Sequence, residues 1–221
     1  MEVIPAILEN SWAEVEKKLK LIGNRTDWIQ LDVSDGQFTP YATWSNPHDL
    51  HSLRLDSKIE VHLMISEPWL TLENWLKSPI GRAVVQVEAV DTPARFSEIQ
   101  SLAKKYNKEI VWGFKIETPF AEGSTKGNPL PSKGLPFVDS VSRVLFLSVE
   151  PGRQGQAFDR RVIDKIASLK SQYPQTVVEV DGGINPSVVG DLKNAGADDL
   201  VVGSYIFDSP DPQKAIAMLQ A

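Results

Sequence analysis

Residues 177–183 read Val-Val-Glu-Val-Asp-Gly-Gly, an apolar run that ends in a carboxylate and two glycines. Such a run is typical of a buried strand that leads directly into a turn. Residues 29–36, Ile-Gln-Leu-Asp-Val-Ser-Asp-Gly, repeat this arrangement near the other end of the chain. A carboxylate at the mouth of a core strand is costly unless it pairs, binds a metal or takes part in a reaction. Asp32 and Asp181 are therefore candidate catalytic residues, a base and an acid on opposite faces of one substrate carbon.

Short β-rich runs alternate with amphipathic segments along the whole chain. We predict strands at residues 3–8, 28–33, 59–64, 83–87, 110–116, 144–149, 177–180 and 200–202. Helices are predicted at residues 12–21, 69–76, 93–106, 161–169, 187–195 and 212–219, with a weaker one near 47–53. Alternation of this kind favours parallel strands joined by right-handed crossovers. The predicted fold class is α/β, a (β/α)8 TIM barrel that forms a single domain over residues 1–221.

Two other features bear on this fold. A doubly wound open sheet is the competing architecture, although no Gly-x-Gly-x-x-Gly follows the first strand, which argues against a dinucleotide-binding fold. Residues 118–136 are rich in Gly, Pro, Ser and Lys and predict a long loop.

Composition limits the kinds of partner and location. The 221 residues carry a formal net charge of -6, with acids and bases interspersed, which disfavours a nucleic-acid partner. The absence of cysteine excludes disulfides, thiolate metal ligands and a thiol nucleophile. No apolar run approaches the ~20 residues of a membrane span, and no basic leader opens the chain. We therefore expect a cytoplasmic protein that does not bind membranes.

A barrel would gather the polar strand ends around one mouth, because the C-terminal ends of its strands share one face. Asp32, His62, Glu150 and Asp181 all lie at or just past such ends. An imidazole with two carboxylates is a plausible ligand set for a divalent metal. The alternative interpretation is that His62 is a structural histidine with satisfied hydrogen bonds.

Three glycine-containing loops are candidates for phosphate binding. Two of them follow the seventh and eighth strands, where exposed backbone N–H groups of a barrel often face an anion. The third follows the sixth strand and adds an arginine that could pair with phosphate. Ordinary turn chemistry and a surface loop are the alternatives. The candidate residues are Gly182, Gly183, Gly203, Ser204, Gly152, Arg153, Gln154 and Gly155.

Four stretches together resemble the ribulose-phosphate 3-epimerase family, and the resemblance covers almost the whole chain. They are residues 31–38 (LDVSDGQF), 61–64 (VHLM), 148–152 (SVEPG) and 180–186 (VDGGINP). The resemblance implies a (β/α)8 barrel that interconverts ribulose 5-phosphate and xylulose 5-phosphate. It implies that Asp32 and Asp181 transfer protons and bind a divalent metal, with His62 as a further ligand that also faces the substrate. It makes a homo-oligomer reasonable.

The chain departs from the family pattern near the sugar end of the site. Gln30 stands where the family has a fourth metal ligand, a histidine, and Ala6 stands in place of a substrate-contacting serine. Ser34 replaces a methionine and Gln86 replaces a histidine, while residues 152–155 read Gly-Arg-Gln-Gly instead of Gly-Phe-Gly-Gly. An amide oxygen in place of imidazole shifts the expected cofactor from zinc toward magnesium or manganese. It could also abolish the metal site.

Three functions therefore stay open. The first is an epimerase that inverts C3 of a phosphorylated ketopentose through an enediolate, with metal assistance. The second is an epimerase that acts on another ketose phosphate. The third is a non-catalytic barrel that binds a small phosphorylated sugar and has lost its metal, although two retained aspartates beside an anionic ligand argue against it.

Overall fold

The strands close into a parallel barrel. A computed structural model describes residues 1–119 and 141–221. Within them, eight strands pair in chain order and β1 pairs with β8, which confirms the barrel and rules out the open sheet. The loop predicted at 118–136 lies outside the described residues except for its first two. The strands are β1 Glu2–Ile7, β2 Trp28–Ser34, β3 Lys58–Met64, β4 Arg82–Gln86, β5 Glu109–Phe114, β6 Arg143–Leu147, β7 Val177–Asp181 and β8 Asp199–Val202.

The helices follow the predicted alternation, with differences at their ends. They are α1 Trp12–Ile22, α2 Leu72–Lys77, α3 Pro93–Lys105, α4 Arg161–Gln172, α5 Pro186–Ala195, α6 Ser204–Phe207 and α7 Pro212–Gln220. The prediction for 69–76 began too early, because Pro68 starts a separate 3-10 turn before α2. The weak helix near residue 50 is the 3-10 segment Pro47–Ser52, and the one-turn α6 was not predicted. Among the described residues, no helix has the length and apolarity needed to cross a bilayer.

Strand alternation divides the apolar side chains into two cores. The larger core includes Val61 and Val180 together with the inner faces of the helices, so it lies between barrel and helices. The smaller core fills the barrel interior with Ile4, Ala6, Val84, Val111, Leu145, Leu147 and Val201. The barrel is therefore a packed layer beneath its mouth and not a channel.

A buried ionic cluster lies two residues below the mouth, counted along the strands. Arg82 contacts Glu60 in a close ion pair, and its Nη2 lies 2.7 Å from Oε1 of Glu179. Arg143 adds a second contact to Glu179 at 2.8 Å. Glu60 and Glu179 are fully buried, and they precede His62 and Asp181 by two residues on the same strands. Residues of the same inward face thus form a charged layer here and the candidate site above it.

Candidate active site

Three titratable side chains meet at the C-terminal mouth of the barrel. Asp32 and His62 are direct neighbours in the register of β2 with β3, and Asp181 ends β7 on the facing side. Nδ1 of His62 lies 3.3 Å from Oδ1 of Asp32 and 3.6 Å from Oδ2 of Asp181. One ligand atom from each residue fits within 4.8 Å of the others. The structure therefore brings together the two predicted catalytic residues and the predicted histidine ligand.

Gln30 joins this cluster from below. Its Nε2 donates to Oδ1 of Asp32 at 2.7 Å and to Oδ2 of Asp181 at 3.1 Å, while its own Oε1 is buried without a hydrogen-bond partner. Those are the same two oxygens that face His62. The second oxygen of each carboxylate makes no hydrogen bond to a described residue. Each aspartate thus has one oxygen turned to the cluster and one left for the pocket.

The charges of the cluster act strongly on one another. Burial raises the pKa of Asp32 and so does the charge of Asp181, while the contact with His62 opposes both. Burial by itself lowers the pKa of His62, but its contacts with Asp181 and Asp32 outweigh burial and raise the pKa to about 10. The two carboxylates thus create a strong demand for positive charge at Nδ1 of His62, which a proton or a metal cation can meet.

Gln86 and Gly113 support the other side of the imidazole, and their role was missed from the sequence. Nε2 of Gln86 lies 2.6 Å from Nε2 of His62, and both side chains are fully buried. Gln86 pairs in register with Gly113, where an added Cβ would lie 2.5 Å from Nε2 of Gln86. Gly113 therefore clears the space that Gln86 occupies. No sequence motif signals this pair, because the contact depends on the register of β4 with β5.

The carboxylate of Asp35, three residues after Asp32, is hydrogen-bonded to backbone N–H groups and does not belong to the cluster of Asp32, His62 and Asp181. One of its oxygens accepts from the backbone N–H groups of Gln37 and Phe38, and the other accepts from Ser66, each at 2.8 Å. Burial works against these bonds, but the N–H donors together lower the pKa of Asp35. The carboxylate thus ties the loop after β2 to the loop after β3.

The glycine loops form the opposite wall of the pocket. Gly183 has φ +62°, and an added Cβ there would lie 2.6 Å from the backbone nitrogen of Phe158. The hydroxyl of Ser148 donates to the carbonyls of Asp181 and Gly182 at 3.2 and 2.5 Å. These contacts hold the turn after β7 against the segment after β6. Ser148 was also missed as a residue that shapes the site, since a serine next to a strand end is not distinctive.

The pocket lies between the barrel mouth and the loops after β6, β7 and β8. All of the loop residues predicted to bind phosphate line it, and Arg153 is exposed at its rim. Nε2 of Gln154 donates to the carbonyl of Ala6 at 3.2 Å and packs over Gly203. The cavity has a volume of about 50 Å³. The loop after β6 thus contacts the barrel mouth directly through Gln154.

The side chains present fit a divalent cation. Two carboxylates and an imidazole are common ligands, and their atoms lie close enough to share one ion. The orphaned Oε1 of Gln30 supplies an independent sign, because a turn of the amide would place this oxygen on the cluster without moving heavy atoms. Such a set has three oxygens and one nitrogen, which favours a harder cation than the zinc preferred by nitrogen-rich or sulfur-rich sites.

Sequence comparisons with known proteins point to one family. The model described as "Ribulose-phosphate 3 epimerase family" matches residues 2–207. The ribulose-phosphate 3-epimerase of Helicobacter pylori is 30% identical over all of this chain and 97% of its own length. The chloroplastic ribulose-5-phosphate-3-epimerase of Arabidopsis thaliana is 31% identical and is covered over 76% of its length, with 99% of this chain.

Solved structures share the fold at much lower sequence identity. KGPDC from Streptococcus mutans in complex with D-R5P gives a TM-score of 0.71 at 14% identity, over 99% of this chain and 95% of that one. The 3-hexulose-6-phosphate synthase of Salmonella typhimurium gives 0.69 at 15% identity, over 99% and 96%. These likenesses support the barrel alone, whereas the family match and the near-full-length relatives show that this chain belongs to the ribulose-phosphate 3-epimerase family.

Proposed function

We propose that this protein inverts C3 of a phosphorylated ketopentose, converting D-ribulose 5-phosphate to D-xylulose 5-phosphate and back. The observation that carries the proposal is the meeting of Asp32, His62 and Asp181 within 4.8 Å at the mouth of the barrel. The curated relatives are named for this reaction. In addition, one structural neighbour is described in complex with D-R5P, a sugar phosphate.

The two aspartates would carry the proton transfer. Inversion needs a base on one face of the carbon and an acid on the other. Asp32 removes the C3 proton from one face, and Asp181 returns a proton to the opposite face of the enediolate. In the reverse direction the roles exchange. The free oxygen of each carboxylate is the one available to the substrate, because the other oxygen faces Gln30 and His62, where the metal would bind.

The metal would be held by Asp32, His62, Asp181 and the amide oxygen of Gln30. A divalent cation bound there supplies Lewis-acid stabilisation of the negative charge that develops on the substrate oxygens. His62 would lie beside those oxygens, since it also lines the pocket. Three oxygens and one nitrogen in this set favour magnesium or manganese over zinc.

Backbone and loop groups would fix the phosphate and exclude water. The backbone N–H groups of Gly183, Gly203 and Ser204 are the proposed cradle, with Gly182 shaping the turn. The segment from Gly152 to Gly155 opens to admit the substrate, which frees the amide of Gln154 from Ala6 so that it can donate to the ligand. Arg153, exposed at the rim, adds positive charge for the phosphate.

A homo-oligomer and a cytoplasmic location stay predictions.

Deuterium exchange at C3 tests this function directly. Metal-loaded protein incubated with D-ribulose 5-phosphate in D2O is expected to form xylulose 5-phosphate with deuterium at C3. Asp32→Asn and Asp181→Asn should each slow the reaction by about 10²–10⁴-fold, the usual value of a positioned acid or base. Asp191→Asn, in an exposed ion pair with Arg160, is the matched control.

The alternatives give different results in the same assay. A ketohexose 6-phosphate run in parallel would take up deuterium faster if the chain acts on a longer sugar. A non-catalytic sugar-phosphate barrel would bind the pentose phosphate by calorimetry and leave C3 unlabelled. That last result would overturn the proposal.

A further inference from the structure

We propose that Gln86 is the positioning residue of His62: its amide oxygen accepts a hydrogen bond from Nε2–H and thereby leaves the Nδ1 lone pair facing Asp32 and Asp181. The role rests on the proposed metal-assisted function, because a lone pair at Nδ1 matters only if a metal binds there. Nothing else among the described residues contacts Nε2 of His62 through a hydrogen bond.

The chemistry of the imidazole decides which end of the amide faces it. A neutral imidazole carries hydrogen on one nitrogen only. If Nδ1 of His62 is to bind a metal, the hydrogen must lie on Nε2, and its neighbour 2.6 Å away must then be an acceptor. Gln86 offers such an atom, since its Oε1 is buried without a partner when Nε2 faces His62. One amide atom stays unpartnered in either orientation, so the contact with His62 decides the orientation.

The position of Gln86 is built into the barrel. Its side chain is fully buried at the end of β4, on the strand adjacent to β3 and His62. Gly113 on the next strand leaves the space: a Cβ there would approach Nε2 of Gln86 to 2.5 Å and Cδ to 2.9 Å. The amide therefore has little freedom to leave the imidazole. Outer hydrogen-bond partners of this kind fix the tautomer and the orientation of metal-binding histidines.

Metal binding without turnover is the first test. MnCl2 and ZnCl2 are titrated by calorimetry into metal-stripped protein. Gln86→Leu, which removes the acceptor at similar volume, should weaken both metals by about 10–100-fold. Gln86→Glu keeps an acceptor oxygen in place and should retain the affinity of the parent. Gly113→Ala should weaken binding in the same direction, because its Cβ displaces the amide.

The tautomer of His62 is the second test, and it separates positioning from a loss of structure. The chain has three histidines, and His48 and His51 are exposed, so the imidazole ¹⁵N signals can be assigned with a His62→Gln variant. In zinc-loaded parent protein we expect hydrogen on Nε2 of His62 and none on Nδ1, with the Nε2–H protected from exchange. Gln86→Leu should lose this protection and Gln86→Glu should keep it. Gly190→Ala, where an added Cβ meets nothing within 4 Å, controls for glycine replacement.

Each outcome has a distinct meaning. Equal metal affinity of Gln86→Leu and parent, or hydrogen on Nδ1 in the zinc-loaded parent, overturns the role of Gln86 and leaves the proposed function standing. Absence of metal binding by the parent counts against the proposed metal centre, and the role of Gln86 fails with it. If Gln86→Leu does not fold, the comparison of Gln86→Glu and Gly113→Ala still decides the question.

Discussion

Gln30 and Asp32 share the inward face of β2, and Nε2 of Gln30 donates to Oδ1 of Asp32 at 2.7 Å. The amide thus takes the place where the family resemblance implies a histidine ligand. An amide offers one oxygen donor where imidazole would offer a nitrogen, so this one position changes the character of the whole ligand set.

Gln30→His should change metal selectivity. An imidazole at this position replaces the only neutral oxygen donor of the proposed set by nitrogen, which zinc prefers more strongly than manganese does. We expect zinc affinity to rise by about tenfold or more, with a smaller change for manganese. Competitive calorimetry with both ions measures the ratio. An unchanged zinc-to-manganese ratio would show that residue 30 does not contact the metal.

Gly183→Ala should destabilise the protein and impair phosphate binding. Alanine at φ +62° brings strain of about 1–3 kcal/mol, and its Cβ would also press on the backbone of Phe158. The loop after β6 would have to move, and the proposed cradle with it. Urea denaturation measures the free energy of unfolding, and titration with inorganic phosphate measures the affinity of the proposed cradle for phosphate.

The control for this substitution is another glycine-to-alanine change in the same domain. Gly190 lies inside α5 with open space around it. Gly190→Ala should therefore stabilise the protein by about 0.5–1 kcal/mol, the ordinary gain of alanine in a helix. If Gly183→Ala is as stable as the parent and binds phosphate equally well, the turn after β7 does not have the role proposed for it.

The fold could be predicted because each local signal agreed with the barrel. The alternation of apolar runs and amphipathic segments predicted each of the strands in residues 1–119 and 141–221 to within two residues at each end. Asp32 and Asp181, distant in sequence, could be placed together because parallel strands of a barrel end at one mouth. The glycine turns after the last strands could be located from their dipeptides alone.

Other parts of the site could not be predicted from local patterns. The contact of Gln86 with His62 depends on which residue of β4 lies beside β3. It also depends on the lack of a side chain at Gly113. The contact of Gln154 with Ala6 depends on a loop conformation, which turn residues constrain only weakly. No local pattern predicts the buried charges of Arg82 and Glu179, because only their mutual pairing in three dimensions explains them.

Lys165 should make the free energy of unfolding depend measurably on pH in the alkaline range. Its Nζ donates to the carbonyls of Lys115 and Thr118 at 2.7 and 2.6 Å, past the end of β5. Burial lowers the pKa of Lys165 to about 8, against the opposing charges of Glu88 and Glu117. Between that value and the ordinary pKa of lysine, the unfolded chain binds more protons than the folded protein.

The sign of this effect follows from linkage. The contribution of Lys165 to the free energy of unfolding should rise with pH from about 8 toward 10.5. Lys165→Met should remove that rise, so that the parent gains stability relative to the variant across this interval. Urea denaturation of both proteins at several pH values checks it. A constant difference between the two proteins would mean that the amine titrates as it does in water.

Arg82→Met should be among the most destabilising single changes in this chain. It removes the cation that lies between Glu60 and Glu179, both fully buried. Glu179 then keeps its contact with Arg143, and Glu60 keeps no ion-pair partner among the described residues. Removing one partner of a buried ion pair typically costs about 3–5 kcal/mol. Chemical denaturation at pH 7 gives the magnitude. Arg82→Met combined with Glu60→Gln and Glu179→Gln should recover much of the loss, because no buried carboxylate is then left uncompensated.

The loss of stability caused by Arg82→Met should also be smaller at acidic pH. Burial raises the pKa of Glu60 and of Glu179, and Arg82 opposes this rise in both. Without Arg82 the folded-state pKa values rise further above the unfolded value of 4.5. The folded variant therefore binds more protons than the unfolded chain above that pH, and its stability falls as pH rises. Unfolding free energies at pH 5 and pH 7 should show a smaller gap between parent and variant at pH 5. A gap that widens in acid would mean that these carboxylates stay ionised without their arginine, and that the charged layer below the site does not depend on it.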